Sequence, residues 1–183
     1  MGDVTATGIT FRLLNGPQAA ASEDDLLALR AQECPDAGDE DARQLRVWRR
    51  QPGFALAEAR HGGYLVGYAA GLPLRASTSW WKDVTSPLPD DLTAERPGRT
   101  FAFTTLIVRP AWRKQGIGAE LHRQLLAGRP EERATIAISP AATAAQRALR
   151  AWGWRKVART RGAGPGASAG ESVRDVLLLF LPR

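Results

Sequence analysis

The stretch Val108-Arg109-Pro110-Ala111-Trp112-Arg113-Lys114-Gln115-Gly116-Ile117-Gly118 restricts this chain's folding more than any other. A strand-like apolar run, Phe101–Val108, ends where it begins. A helix pattern, Gly116–Ala127, opens where it closes, with Ile117, Leu121 and Leu125 at helical spacing to anchor it on a core. Pro110 turns the chain between them. Glycines have no Cβ and let the main chain come close to a bulky ligand. The first N–H groups of a helix have no partner within it and sit at the positive end of its dipole, so they receive phosphate. Arg113 and Lys114 add charge at the same edge.

Two familiar phosphate-binding arrangements do not fit. The segment lacks the Gly-Lys-Ser/Thr ending of a nucleoside-triphosphate loop. The third glycine of a dinucleotide fingerprint would fall at Leu121. A plain loop leading into a helix stays open on the glycines alone, and the surrounding context weighs against it.

That order alternates. Thr7–Leu14 reads as a strand closed by Asn15-Gly16-Pro17, and a helix follows to Glu33 with Ser22 as its N-cap and Glu23, Asp24 and Asp25 in the first turn. A second helix spans Asp39–Arg50. Strands Phe54–Arg60 and Tyr64–Gly71 flank the turn His61-Gly62-Gly63. Pro73–Arg99 is a long irregular stretch with Trp80-Trp81, of the kind that is functional or mobile. After Phe101–Val108 and its helix come a buried strand, Ala134–Ser139, and a helix from Ser139-Pro140 to Gly153. Strands Trp154–Thr160 and Ser172–Leu181 close the chain around the loop Arg161–Gly170. The expected fold is α/β (α+β): a single mixed, mostly antiparallel sheet of six to seven strands flanked by about four helices. The 183 residues suit a single domain, 1–183.

Charge is uneven. Residues 1–100 carry 11 basic and 14 acidic side chains, and residues 101–183 carry 14 and 5, which makes the second half strongly basic. An anionic partner explains that, and so does an Arg- and Ala-rich, Lys-poor composition. Aromatic and basic residues do not interleave along any one strand, so no nucleic-acid partner is expected. No apolar run nears the roughly 20 residues of a membrane span, so no membrane partner is expected. The start of the chain has no export pattern, and the single cysteine, Cys34, allows no internal disulfide; a cytoplasmic location is the expectation. One cysteine and two histidines argue against a metal site.

Arg113-Lys114-Gln115-Gly116-Ile117-Gly118 resembles the Arg/Gln-x-x-Gly-x-Gly/Ala signature of the GNAT superfamily, the acyl-CoA-dependent N-acyltransferases. The lead-in Leu106-Ile107-Val108-Arg109-Pro110 is similar to that family's strand, and Ala145 to Gly153-Trp154 to its later alanine-bearing helix ending in Gly-Phe. Residues 101–154 carry the likeness. It implies a GNAT-like fold with acetyl-CoA as co-substrate. Main-chain N–H groups from Gln115 to Ala119, flanked by Arg113 and Lys114, would hold the pyrophosphate of coenzyme A. The main chain of Leu106, Ile107 and Val108 would pair with the pantetheine arm as an added strand, and the thioester would lie where the fourth and fifth strands splay. An amine would attack the carbonyl directly, with a backbone N–H near Val108 steadying the oxyanion.

The family's proton-transfer groups do not carry over. The tyrosine that protonates the leaving thiolate falls at Leu149, the asparagine of that helix at Ala142, and the strand glutamate base at Thr105. Glu58 is the substitute base if it faces the cleft. Asp90, Asp91 and Glu95 either attract a cationic amine or are solvated. His122 is expected at the surface or beside phosphate. Trp80 and Trp81 either wall the acceptor site or pack the long loop down. The expected activity is acetyl transfer to a primary amine of a small molecule held under Pro73–Arg99. The alternatives are a protein N-terminal or lysine acetyltransferase and a non-catalytic acyl-CoA-binding protein. The apolar last strand, Val176–Leu181, serves either to pair across a homodimer or to finish the monomer's sheet.

Overall fold

The computed structural model describes residues 8–33, 39–161 and 173–182. The strands are β1 (Ile9–Asn15), β2 (Ala55–His61), β3 (Tyr64–Pro73), β4 (Thr100–Val108), β5 (Arg133–Ile138), β6 (Arg155–Thr160) and β7 (Arg174–Phe180). The helices are α1 (Gly16–Ala19), α2 (Glu23–Glu33), α3 (Asp39–Arg49), α4 (Asp90–Thr93), α5 (Ile117–Leu126) and α6 (Thr143–Ala151). The strands form one sheet in the order β1-β2-β3-β4-β5-β7-β6. Pairing is antiparallel for β1–β2, β2–β3, β5–β7 and β6–β7, and parallel for β4–β5. Seven strands and a mixed, mostly antiparallel sheet match the sequence expectation.

The chain divides into two compact units. The first takes Met1–Leu72 with Thr105–Gly128. Its core joins β2, β3 and the end of β4 to α2, with Leu26, Leu29, Leu56 and Tyr68 fully buried. Burying an aliphatic side chain of that size stabilises by roughly 1.5–3 kcal/mol. β3 is buried along nearly its whole length, as a strand covered on both faces must be. A Cβ on Gly67 would stand 2.8 Å from the Ile107 carbonyl oxygen and 3.3 Å from Leu121 Cδ1, so only glycine allows β3, β4 and α5 to meet this closely.

The second unit takes Pro73–Thr104 with Arg129–Arg183. Its core gathers Leu74, Trp80, Trp81, Ala102, Val176 and Leu178. Phe103 and Trp154 meet edge to face at 6.0 Å. Both edges of β7 are taken, by β5 and β6, so this strand finishes the chain's own sheet and has no edge left for a second copy.

Two helix starts differ from expectation. Asn15-Gly16-Pro17 opens α1 instead of a simple turn: Asn15 and Gln18 form a reciprocal capping box, with proline in the first turn. Ser22 lies in a single 3-10 turn before α2, and its hydroxyl donates to Glu58 Oε2 at 3.1 Å instead of capping the helix. Ser139-Pro140 does not start α6, which begins at Thr143. Ser139 Oγ accepts the Ala141 N–H at 3.2 Å in a local turn. Cys34 and most of the Arg161–Gly170 loop lie outside the described residues.

Candidate active site

The strand-to-helix segment folds within the first unit. β4 ends at Val108, Pro110–Trp112 makes one 3-10 turn, and α5 starts at Ile117. Two of the three residues before α5 have left-handed backbones: Lys114 at φ 61 and Gly116 at φ 81. Glycine takes that conformation freely, whereas Lys114 pays roughly 1–2 kcal/mol of strain. Strain of this kind persists where the surroundings enforce it, and it gathers at ligand sites. No side chain caps α5. The N–H groups at its start have no side-chain partner, and an added Cβ on Gly116 would meet nothing within 4 Å. An uncapped helix start, an open cradle and exposed Lys114 suit a diphosphate.

Arg109 and Arg113 hold this loop from behind. The Arg109 N–H donates to Val66 O at 2.9 Å, and Arg109 Nε to Leu65 O at 2.8 Å. Its guanidinium also bonds Gln32 Oε1 and lies 4.5 Å over the Tyr64 ring. Arg113 Nε donates to Val108 O at 2.8 Å, and Nη2 pairs with Glu33 Oε2 at 2.7 Å. Gln115 Nε2 reaches back to Ala111 O at 3.2 Å, and Trp112 packs against His61 at 4.9 Å. The sequence places Arg113 beside the phosphate. In the structure its guanidinium is engaged by Glu33 and Val108.

Leu106–Val108, the residues named for the pantetheine arm, lie beyond the three rungs through which β4 pairs with β5, Thr100 to Ala102 against Arg133 to Thr135. Ile107 packs into the first unit's core, while Leu106 and Val108 are half-buried. Thr105 is buried and accepts from Arg30 Nη1 at 3.4 Å.

Glu58 is fully buried on β2, and both of its oxygens are engaged. Arg12 donates to Oε1, and Ser22 and Arg60 donate to Oε2 at 3.1 Å each. Arg60 extends the network to Asp25 at 2.8 Å. A relay through Glu58 would have to break this network, which joins β1, β2 and α2. His122 is half-buried on α5, and burial pushes its pKa down to about 4, so it is neutral at physiological pH.

In the second unit Trp80 and Trp81 are core residues, and Trp81 Nε1 donates to Glu95 Oε1 at 2.9 Å. Glu95 does lie in the loop, but its side chain is buried rather than solvated. The same Oε1 accepts Thr100 Oγ1 at 2.8 Å and Arg133 Nη2 at 2.9 Å. Asp90 and Asp91 are exposed on α4. On α6, Leu149 is buried, and the buried Gln146 donates to Ser139 O at 3.2 Å and Asp175 Oδ2 at 3.0 Å. Burial would raise the Asp175 carboxyl, but hydrogen bonds from Lys156, Gln146 and Arg159 outweigh it and hold the pKa at about 2. Sequence reasoning missed this group and the Glu95–Arg133 pair. Their members are 29 and 38 positions apart, and no local pattern links them.

Comparison with known proteins agrees with this layout. The sequence profile of the acetyltransferase (GNAT) family matches residues 23–154. No curated protein matches. Among solved structures, Arabidopsis thaliana NAA60 in complex with acetyl-CoA aligns with a TM-score of 0.68 at 17% identity, over 94% of this chain and 98% of that one. An aminoglycoside 6'-N-acetyltransferase complexed with coenzyme A aligns at 0.64 and 16%, over 95% and 98%. The ribosomal-protein-S18-alanine N-acetyltransferase from Escherichia coli aligns at 0.63 and 11%, over 96% and 95%. At these identities the structural likeness speaks for the fold.

Proposed function

Because this chain belongs to the GNAT acetyltransferase family, we propose that it moves the acetyl group of acetyl-CoA to a primary amine of a small molecule by direct attack. The observation that carries the donor half is the uncapped start of α5 behind left-handed Gly116. Main-chain N–H groups from Gln115 to Ala119 bind the diphosphate, and Lys114 adds positive potential. The main chain of Leu106 to Val108 aligns the pantetheine arm. The amine's lone pair forms the C–N bond, and the C–S bond breaks to release the thiolate. A backbone N–H near Val108 steadies the oxyanion between these steps.

Most of the rate then comes from holding the two reactants in line, which needs no covalent enzyme intermediate. Thr105 takes up no proton at neutral pH, so the amine's proton passes to solvent. The fold likeness to the ribosomal-protein-S18-alanine N-acetyltransferase supports a second reading, in which the acceptor is the amine of a protein. Residues 1–183 act in either case as one acyltransferase domain.

Calorimetry with coenzyme A tests the donor half, and saturable binding is expected. A thiol-release screen with acetyl-CoA across small amines, amino-terminal peptides and lysine peptides tests the acceptor. Turnover confined to the peptides would overturn the small-molecule reading. Binding without thiol release from any amine would overturn the transfer itself.

A further inference from the structure

We infer that Arg109 and Arg113 are positioning residues: they hold the anion cradle in its left-handed form by bracing it against the last turn of α2, and neither contacts phosphate. The inference rests on the coenzyme A reading above and assigns to these two arginines a task that charge alone does not suggest.

Strain and bonding lead to it together. Lys114 sits at φ 61, a conformation an L-residue leaves unless its neighbours prevent it. Two guanidiniums anchor the loop on the cradle's N-terminal side. Arg109 bonds the Leu65 carbonyl, Gln32 and the Tyr64 ring face. Arg113 clasps the Val108 carbonyl at the end of β4 and the Glu33 carboxylate at the end of α2. Gln32 and Glu33 are the last two residues of α2, where the helix dipole favours a nearby cation. One face of the loop is thus tied to β3, β4 and α2, and the N–H groups at the start of α5 are left for a ligand. An arginine aimed at phosphate would be expected to hold its fork for the ligand, whereas Arg113 gives one N–H to a carboxylate and another to a carbonyl.

Glu33→Gln separates the two roles, because they predict opposite signs. If Arg113 contacts phosphate, releasing it from Glu33 leaves coenzyme A binding equal or tighter. If Arg113 braces the loop, the release weakens binding by about threefold, within the range of a partly exposed ion pair. Arg113→Ala is expected to weaken it about fivefold, and Arg109→Ala, which loses three partners, about tenfold. The double variant Arg113→Ala/Glu33→Gln is expected to bind no more weakly than Arg113→Ala alone, since both changes remove one interaction.

Amide hydrogen exchange without ligand supplies a readout that direct phosphate contact would not move. Faster exchange across Trp112–Gly116 in each variant, with the far-ultraviolet circular dichroism unchanged, is the expected result. Unchanged exchange, or equal or tighter binding by Glu33→Gln, overturns the brace. If the unaltered protein does not bind coenzyme A at all, the functional reading fails, and the exchange arm still decides the brace by itself.

Discussion

The cradle before α5 and the helix α6 were both singled out by one family likeness, yet they are built differently. The cradle is made of main chain. In the proposed reading its working groups are main-chain N–H groups, while the Arg109 and Arg113 side chains bond the carbonyls of Leu65 and Val108. In α6 the side chains do the holding. Gln146 bridges Ser139 and Asp175, and Leu149 is sealed in the core. A function carried by backbone depends on conformation, which glycine and a few anchors enforce. A function carried by a side chain depends on identity, and positions 142 and 149 hold alanine and leucine, neither of which transfers a proton.

The largest effect that would sharpen this contrast is Leu149→Ala. Emptying a buried leucine site is expected to lower unfolding free energy by about 2–5 kcal/mol, read by urea denaturation. Coenzyme A affinity of the folded variant should stay unchanged. A loss of affinity would make α6 part of the donor site and break the comparison. Next is Gly116→Glu, expected to weaken coenzyme A binding by at least about 100-fold, or roughly 2.8 kcal/mol. Its stability cost should be nearer the roughly 1–2 kcal/mol of a left-handed L-residue, because the added Cβ meets no neighbour. Equal binding by a folded Gly116→Glu variant in calorimetry would remove the cradle assignment.

The smallest effects lie in acid. His122 has its pKa lowered from 6.5 to about 4 by burial, so the unfolded chain binds a proton that the native state refuses. Stability is full above pH 6.5 and falls as pH drops towards 4, and His122→Gln should flatten that part of a Tm-against-pH curve. Asp175, lowered from 3.8 to about 2, contributes stability above pH 3.8 that is lost as pH falls towards 2. Asp175→Asn should remove only this lower segment. Overlapping changes would mean that the two groups do not titrate independently.

Much of the fold was legible because its signals are local. All seven strands and the helices α2, α3, α5 and α6 follow from apolar periodicity broken by Gly and Pro. The cradle was legible for the same reason, since it lies within eleven consecutive residues. The errors fall where a local rule competes with a distant partner. Ser22 reads as a helix cap until Glu58, 36 positions away, claims its hydroxyl. Glu95 reads as a carboxylate that is solvated or attracts an amine, and Trp80 and Trp81 as either an acceptor wall or loop packing, because polarity and proline content describe a segment without saying what lies over it.

The sequence by itself determined the order of the elements and the strand-to-glycine-to-helix segment that we propose takes an anion. Both depend on spacing along the chain and on glycine's lack of a Cβ. Only the tertiary structure decided which charges are free and which are engaged. Glu58, Glu95 and Arg113 look alike in sequence as candidates for chemistry, and each is held by partners from other elements. The physical reason is that a carboxylate removed from water, as in Glu58 and Glu95, must be paired, and that even the exposed Arg113 is drawn to a carboxylate that another element brings within reach. Those partners are set by which strands and helices pack together, and a one-dimensional pattern does not contain that information.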